Sequence, residues 1–255
     1  KHQALLQSAR MEAVHHETCH EDVFLCIPPL YHTGAKMHWF GSLFTGSRAV
    51  LLKGNSPKAI FDAVSNEGCT IVWLLVPWCQ DILASLDRGE LKLEDYRLSQ
   101  WRLMHIGAQP VPQSLIARWH KHFPNQQYDT NYGLSESIGP GCVHLGVENI
   151  HKVGAIGVPG HNWEAQIVDE NGQPVAQGQV GELIVKGPGV MKCYYRDPAA
   201  TAAACSARTI PSPGSSWRLC STATPGMRAM TPPRAAWPSG SSPTMTRSPA
   251  TLRRP

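Results

Sequence analysis

Seven consecutive residues, Asn131-Tyr132-Gly133-Leu134-Ser135-Glu136-Ser137, set a hydroxyl beside a carboxylate just after a segment that reads as a strand. Gly133 lets backbone approach a ligand closely, because it carries no Cβ. A hydroxyl followed by a carboxylate suits a magnesium-bound phosphate, with hard oxygen ligands for the metal and an O–H donor for a phosphate oxygen. The same septet also serves as a plain polar turn with no ligand, and its chemistry alone leaves both readings open.

Two other groups of residues compete for attention. In His15-His16-Glu17-Thr18-Cys19-His20, the pair His16 and His20 has the i, i+4 spacing of a zinc-binding helix face. No second ligand set follows at finger spacing. His32 sits in a loop after Pro28-Pro29 and is by itself a hydrogen-bonding loop histidine. Trp73, Trp78, Trp101 and Trp119 fall on expected strands and helices, where they read as core or pocket wall.

The elements that must position these groups alternate. Val23–Ile27 is a short apolar strand ended by two prolines, and Lys36–Phe44 reads as a helix stopped by Gly46. Arg48–Lys53 is a strand. Ser56-Pro57 supplies an N-cap and a first-turn proline for a helix to about Glu67. Thr70–Val76 and Trp101–Ile106 are strands, with a helix starting at Pro77 between them. Pro112–Phe123 is an amphipathic helix, and Gln127–Thr130 is a strand that runs into the septet. Strand and helix in turn predict a mostly parallel, helix-covered sheet, an α/β fold. Ligands of such sheets lie at the carboxyl ends of strands, so the loops after Ile27, Ile106 and Thr130 are the places for chemistry.

The texture changes near residue 146. Glu164–Val168 and Gly181–Lys186 read as strands, with an Asn-Gly turn signal at Asn171-Gly172. We expect an α/β subdomain over 1–145, a small appended β subdomain over 146–204 and a disordered basic tail over 205–255. That tail holds seven arginines, nine prolines and nine serines with no acidic residue, and its composition changes abruptly inside an Ala-rich helix. An out-of-frame origin is one reading and a natural disordered tail the other; either way it offers little apolar surface to offset its ordering entropy.

Bulk properties exclude several classes. The net charge of +4 belongs to the tail, and the body shows no basic footprint for nucleic acid. Eight scattered cysteines without a Cys-x-x-Cys pair read as reduced thiols of a cytoplasmic protein. No apolar run reaches the roughly 18–20 residues of a membrane helix. The first residues lack an initiating Met and do not form a signal peptide, so we expect a fragment.

The septet resembles the Tyr-Gly-x-Thr-Glu signature of the acyl-adenylate-forming superfamily, with Ser135 where threonine is usual. Four further segments resemble the same family in its order. They are Pro29-Leu30-Tyr31-His32-Thr33-Gly34-Ala35, Gly107-Ala108-Gln109-Pro110, Val153-Gly154-Ala155-Ile156-Gly157-Val158-Pro159-Gly160, and Gly181-Glu182-Leu183-Ile184-Val185-Lys186-Gly187-Pro188 continuing to Tyr194-Tyr195. Any one is weak; together they are specific, and they cover about residues 1–204.

The resemblance implies part of the large N-terminal domain of an acyl-CoA synthetase. It implies an acid–CoA ligase that uses ATP, Mg²⁺ and CoA on a small-molecule carboxylic acid. It also implies that Gly107, Ala108 and Gln109 line the adenine and that Asn131 bonds its amino edge. Tyr132 and Gly133 would pack near the nucleotide, Ser135 would contact phosphate and Glu136 would bind Mg²⁺. His32 would sit near the acyl carboxylate or thiol entry. Catalytic roles are thus expected of Glu136, Ser135 and His32, whereas Glu182 is expected to be structural. The family's Gly-rich phosphate loop, ribose-binding Thr-Gly-Asp and C-terminal lysine are not in this sequence, so we expect no appreciable ligase activity from it alone. The other readings are part of an amino-acid adenylation domain, or a non-catalytic nucleotide-binding fragment.

Overall fold

The computed structural model describes residues 1–144, 152, 155–205 and, for the backbone, 218–221. Five strands form one parallel sheet: β1 (Val23–Cys26), β2 (Arg48–Leu51), β3 (Ile71–Leu75), β4 (Leu103–Gly107) and β5 (Gln127–Asp129), in the order β2-β1-β3-β4-β5. Helices α1 (His2–His15), α2 (Thr33–Thr45), α3 (Pro57–Glu67), α4 (Val76–Asp87) and α5 (Gln113–His122) cover it. The mostly parallel, helix-covered α/β fold expected from the sequence is present.

Local sequence explains the boundaries. Ser56 accepts the amide of Ala59 and Pro57 opens α3; Gly68 closes it in the left-handed conformation. Gly46 closes α2 in the same way. α2 begins at Thr33, before the expected Lys36, because the side chain of His32 caps it.

Side chains alternate across the pleat and sort the sheet into two unlike faces. Val23, Leu25, Val72, Leu74, Met104, Ile106 and Tyr128 pack with α3, α4 and α5 in the main apolar core. Phe24, Cys26, Ile71, Trp73 and Leu103 face the other way, with Ala35 and Trp39 of α2. His105 and Asp129 alternate with Met104 and Tyr128, and both are buried beneath α1 and α2. A clamp holds the entry to β1: Arg102 Nε and Nη2 donate to the two oxygens of Asp22 at 2.9 and 2.8 Å, and Thr70 Oγ1 donates to Asp22 at 2.6 Å.

The septet is not the bare loop expected after β5. Asn131–Leu134 is itself a strand, β6, pairing antiparallel with β7 (Gly139–Val143), which pairs with β8 (Val158–Pro159). A single 3-10 turn, Ser135–Ser137, joins β6 to β7. Antiparallel pairing therefore starts at Asn131, inside the segment read from sequence as α/β. β9 (Glu164–Val168) and β10 (Glu182–Lys186) form a second antiparallel pair. The Asn-Gly turn does not join these two directly: it folds Pro174 back onto Val168, and the chain turns again before β10. Met11, Val143, Trp163, Ile167, Leu183 and Val185 make the core that ties α1 to these strands.

Within the tail the outcome differs from expectation at four residues. Arg218–Ser221 adds to β10 as an antiparallel edge strand, β11. An open sheet edge offers unpaired N–H and C=O groups to any extended segment, whatever its composition. The rest of the tail, 206–217 and 222–255, lies outside the described residues, as do Val153 and Gly154 of the glycine-rich turn. The Ala-rich helix is α6 (Pro198–Ala204), with Asp197 accepting the Ala200 amide at 2.8 Å. Among the described residues no helix is long and apolar enough to cross a membrane.

Candidate nucleotide and acyl site

The loops leaving β1, β4 and β5 lie at the carboxyl ends of neighbouring strands, where the fold leaves backbone free for a ligand. After β1, His32 has extended backbone and its Nδ1 accepts the Gly34 amide at 3.2 Å. The neutral ring then carries its proton on Nε2. Burial, with the charge of Lys36 behind it, holds the His32 pKa below its ordinary value. The imidazole is therefore neutral at pH 7 and able to donate from Nε2.

Trp73 of β3 forms the floor between the first two loops. Its ring lies 5.1 Å from that of His32. A Cβ added at Gly34 would stand 2.7 Å from the indole, so only glycine lets the β1–α2 turn settle onto it. Gly107 ends β4 opposite Leu75, where an added Cβ would stand 4.0 Å from Nε1 of the same indole. Ala108 follows with φ +67°, a left-handed conformation that costs a non-glycine residue about 1–2 kcal/mol. Ala108 and Gln109 are exposed.

The septet supplies the third wall. Ser135 is exposed, and its Oγ lies 3.3 Å from Thr33 Oγ1. Glu136 accepts the Tyr194 hydroxyl at 2.7 Å, and its carbonyl accepts the Met191 amide at 2.6 Å. Tyr194 lies in the segment after β10, so two regions far apart in sequence close on Glu136. Tyr132 is half-buried against the core beneath the antiparallel strands, and Gly133 is exposed at a bulge opposite Pro140. Asn131 turns its amide inward, with Nδ2 donating to both oxygens of Glu12 at 2.7 and 2.8 Å. Its Oδ1 is buried and has no hydrogen-bond partner among the described residues.

The structure thus brings His32, Ser135 and Glu136 to one side of the sheet with Gly107 and Ala108. Sequence reasoning read Trp73 as core or pocket wall and assigned no role to Thr33, Tyr194 or Glu12. Thr33 and Tyr194 lie inside segments already singled out, whereas nothing in the sequence marks Glu12. The histidine pair with zinc spacing does not form a helix face. α1 ends at His15, and His20 is exposed beside Glu21 at 2.9 Å.

The AMP-binding enzyme family matches residues 1–195. The chain belongs to that family. Among curated relatives, 4-coumarate–CoA ligase-like 3 of Arabidopsis thaliana is 30% identical over 183 residues, which is 71% of this chain and 33% of the relative. Feruloyl-CoA synthase of Amycolatopsis sp is 32% identical over 180 residues, 70% of this chain and 35% of the relative. The chain therefore spans about a third of the length of the curated relatives it matches. The same fold occurs in a long-chain-fatty-acid–CoA ligase from Archaeoglobus fulgidus, at TM-score 0.73 and 19% identity over 80% of this chain and 42% of that one. It occurs also in O-succinylbenzoate coenzyme A synthetase from Bacillus subtilis, solved in complex with ATP and magnesium ion. There the TM-score is 0.69 and the identity 23%, covering 79% of this chain and 40% of that one. As an AMP-binding family member, this chain holds the septet and the Gly107–Pro110 loop within the matched region.

Proposed function

We propose that the AMP-binding chain is part of an ATP-dependent acid–CoA ligase, which activates a carboxylic acid as its acyl-adenylate and passes the acyl group to CoA. The observation that supports this reading is the contact between the Thr33 and Ser135 hydroxyls, with Glu136 the next residue along the chain, at the carboxyl ends of parallel strands. Those donors are hard oxygens, the set that suits Mg²⁺ on a nucleotide phosphate. Glu136 would hold the ion and Ser135 a phosphate oxygen. When bound, Mg²⁺ offsets the negative charge that develops as pyrophosphate leaves.

The protein's own groups do the rest. Gly107, Ala108 and Gln109 offer backbone to the adenine, and Asn131 and Tyr132 stand at the adjoining strand. With its inward-turned amide, Asn131 shapes this wall through Glu12 rather than reaching out to the base. His32, neutral and anchored at Nδ1, presents an Nε2–H donor to the acyl carboxylate or the thiol entry. Tyr194 orients Glu136 through its hydroxyl.

All the curated relatives compared are CoA ligases or CoA synthases by name, which favours CoA over a carrier protein as acceptor. A cytoplasmic location belongs to the same reading, from cysteines that are free wherever they are described. This chain by itself is expected to bind nucleotide without completing ligation. Calorimetry with ATP, with and without MgCl₂, tests the site: binding should strengthen with Mg²⁺, and E136A should abolish that gain. Equal Mg²⁺ dependence in both proteins would reject the assignment of Glu136. Acid-dependent ATP–pyrophosphate exchange by this chain would reject its expected inactivity.

A further inference from the structure

Behind the nucleotide site lies a second cluster of chemistry-bearing side chains. Glu12 and His16 come from α1, His38 from α2 and His105 from β4, and all four are buried. One donor atom from each lies within 4.8 Å of the other three. Glu12 Oε1 lies 3.2 Å from His105 Nδ1, 3.7 Å from His38 Nε2 and 3.6 Å from His16 Nε2. His38 Nε2 and His105 Nδ1 are 2.8 Å apart. Four nitrogen and oxygen ligands about 2.0–2.1 Å from a tetrahedral ion stand roughly 3.3 Å from one another, so these spacings bracket those of a zinc site.

We propose that Glu12, His16, His38 and His105 form a structural binding site for a zinc-class divalent transition-metal ion, which pins α1 to the parallel sheet.

Charge and protonation favour it. Burial drives His38 well below the ordinary histidine range and His105 down to about 3, so both rings are neutral and offer lone pairs, as ligation requires. Neutral rings leave the buried Glu12 carboxylate short of positive charge, and burial raises its pKa accordingly. A second carboxylate, Asp129, is also buried close by. A divalent ion supplies the positive charge that Glu12 lacks, while Asp129 is paired with His15 and His16. His16 Nε2 reaches Asp129 Oδ2 at 2.7 Å, while His15 Nε2 holds the other oxygen at 3.0 Å. Asp129 therefore keeps a partner when His16 turns to the ion. Asn131 holds Glu12 from the far side, as the supporting hydrogen bonds of metal ligands do. A small cleft lined by Asp22, Phe24, Met37, His38 and Ser42 leads to His38 from the surface.

Cobalt reports such a site by its visible spectrum. The chain, stripped with EDTA and titrated with CoCl₂, should take up one equivalent with the intense d–d bands of a four-coordinate nitrogen and oxygen site, and ZnCl₂ should displace it. E12Q, H38Q and H105Q, checked for folding by circular dichroism, should each weaken retention at least tenfold, whereas H20Q should leave it unchanged. The wild-type spectrum needs no variant to decide the matter. Weak six-coordinate bands, or no uptake, overturn the proposal, and so does uptake that H20Q removes.

Discussion

Asn131 Nδ2 donates to both carboxylate oxygens of Glu12, joining β6 to the last turn of α1. Glu12 is 1% exposed, so this contact satisfies a charge that water cannot reach. Removing the donor leaves a buried acceptor short of a partner. N131A should therefore cost about 1–3 kcal/mol in urea unfolding. N131D sets a second carboxylate against the first and should cost more. Unfolding midpoints equal to wild type in both variants would show that Glu12 is not held in this way.

Acid should loosen the clamp at the entry to β1. Burial opposes ionisation of Asp22, but hydrogen bonds from Arg102 and Thr70 outweigh it and hold its pKa at about 2. A depressed carboxylate contributes stability above its unfolded value near 3.8, and that contribution is lost as pH falls toward about 2. With Arg102 half-exposed and screened, we expect about 1–2 kcal/mol from this pair. Denaturant unfolding followed from neutral to acid pH should show a shallower acid loss for D22N than for wild type. Parallel curves would remove Asp22 from the account.

Ala108 carries left-handed backbone at an exposed position. A108G relieves that strain but loosens the unfolded chain, so the net gain should be about 0.5–1 kcal/mol, read as a higher thermal midpoint. A lower midpoint would mean that the methyl group packs in a way its exposure does not suggest.

Gly34 lies where any side chain would press on Trp73. G34A should destabilise by about 1–3 kcal/mol through overpacking and shift the tryptophan emission as the indole moves. Unchanged emission together with unchanged stability would place the β1–α2 turn farther from the indole than 2.7 Å.

The sequence by itself determined the local elements and the lineage. Ser56, Pro57 and Gly68 bound α3 through interactions within a few residues, and Gly46 stops α2 in the same way. The alternation of β-branched runs with helical segments predicted the parallel sheet, and segments such as Gly107–Pro110 carried the family resemblance. These features are legible because their causes are short-range: caps, turn chemistry and the period of the apolar pattern.

Tertiary structure decided what those segments touch. Asn131–Leu134 reads locally as a polar turn, yet it pairs as β6 because β7 offers an antiparallel edge. Tyr194 meets Glu136 across 58 residues of chain. Glu12 looks like a surface residue of a helix, and His105 like one polar residue in an apolar strand. Only the packing of α1 and α2 over β4 buries both at one centre with His16 and His38, and draws Asn131 onto Glu12. Such a centre has no sequence period: its members come from two helices and a strand, and desolvation acts on the group as a whole.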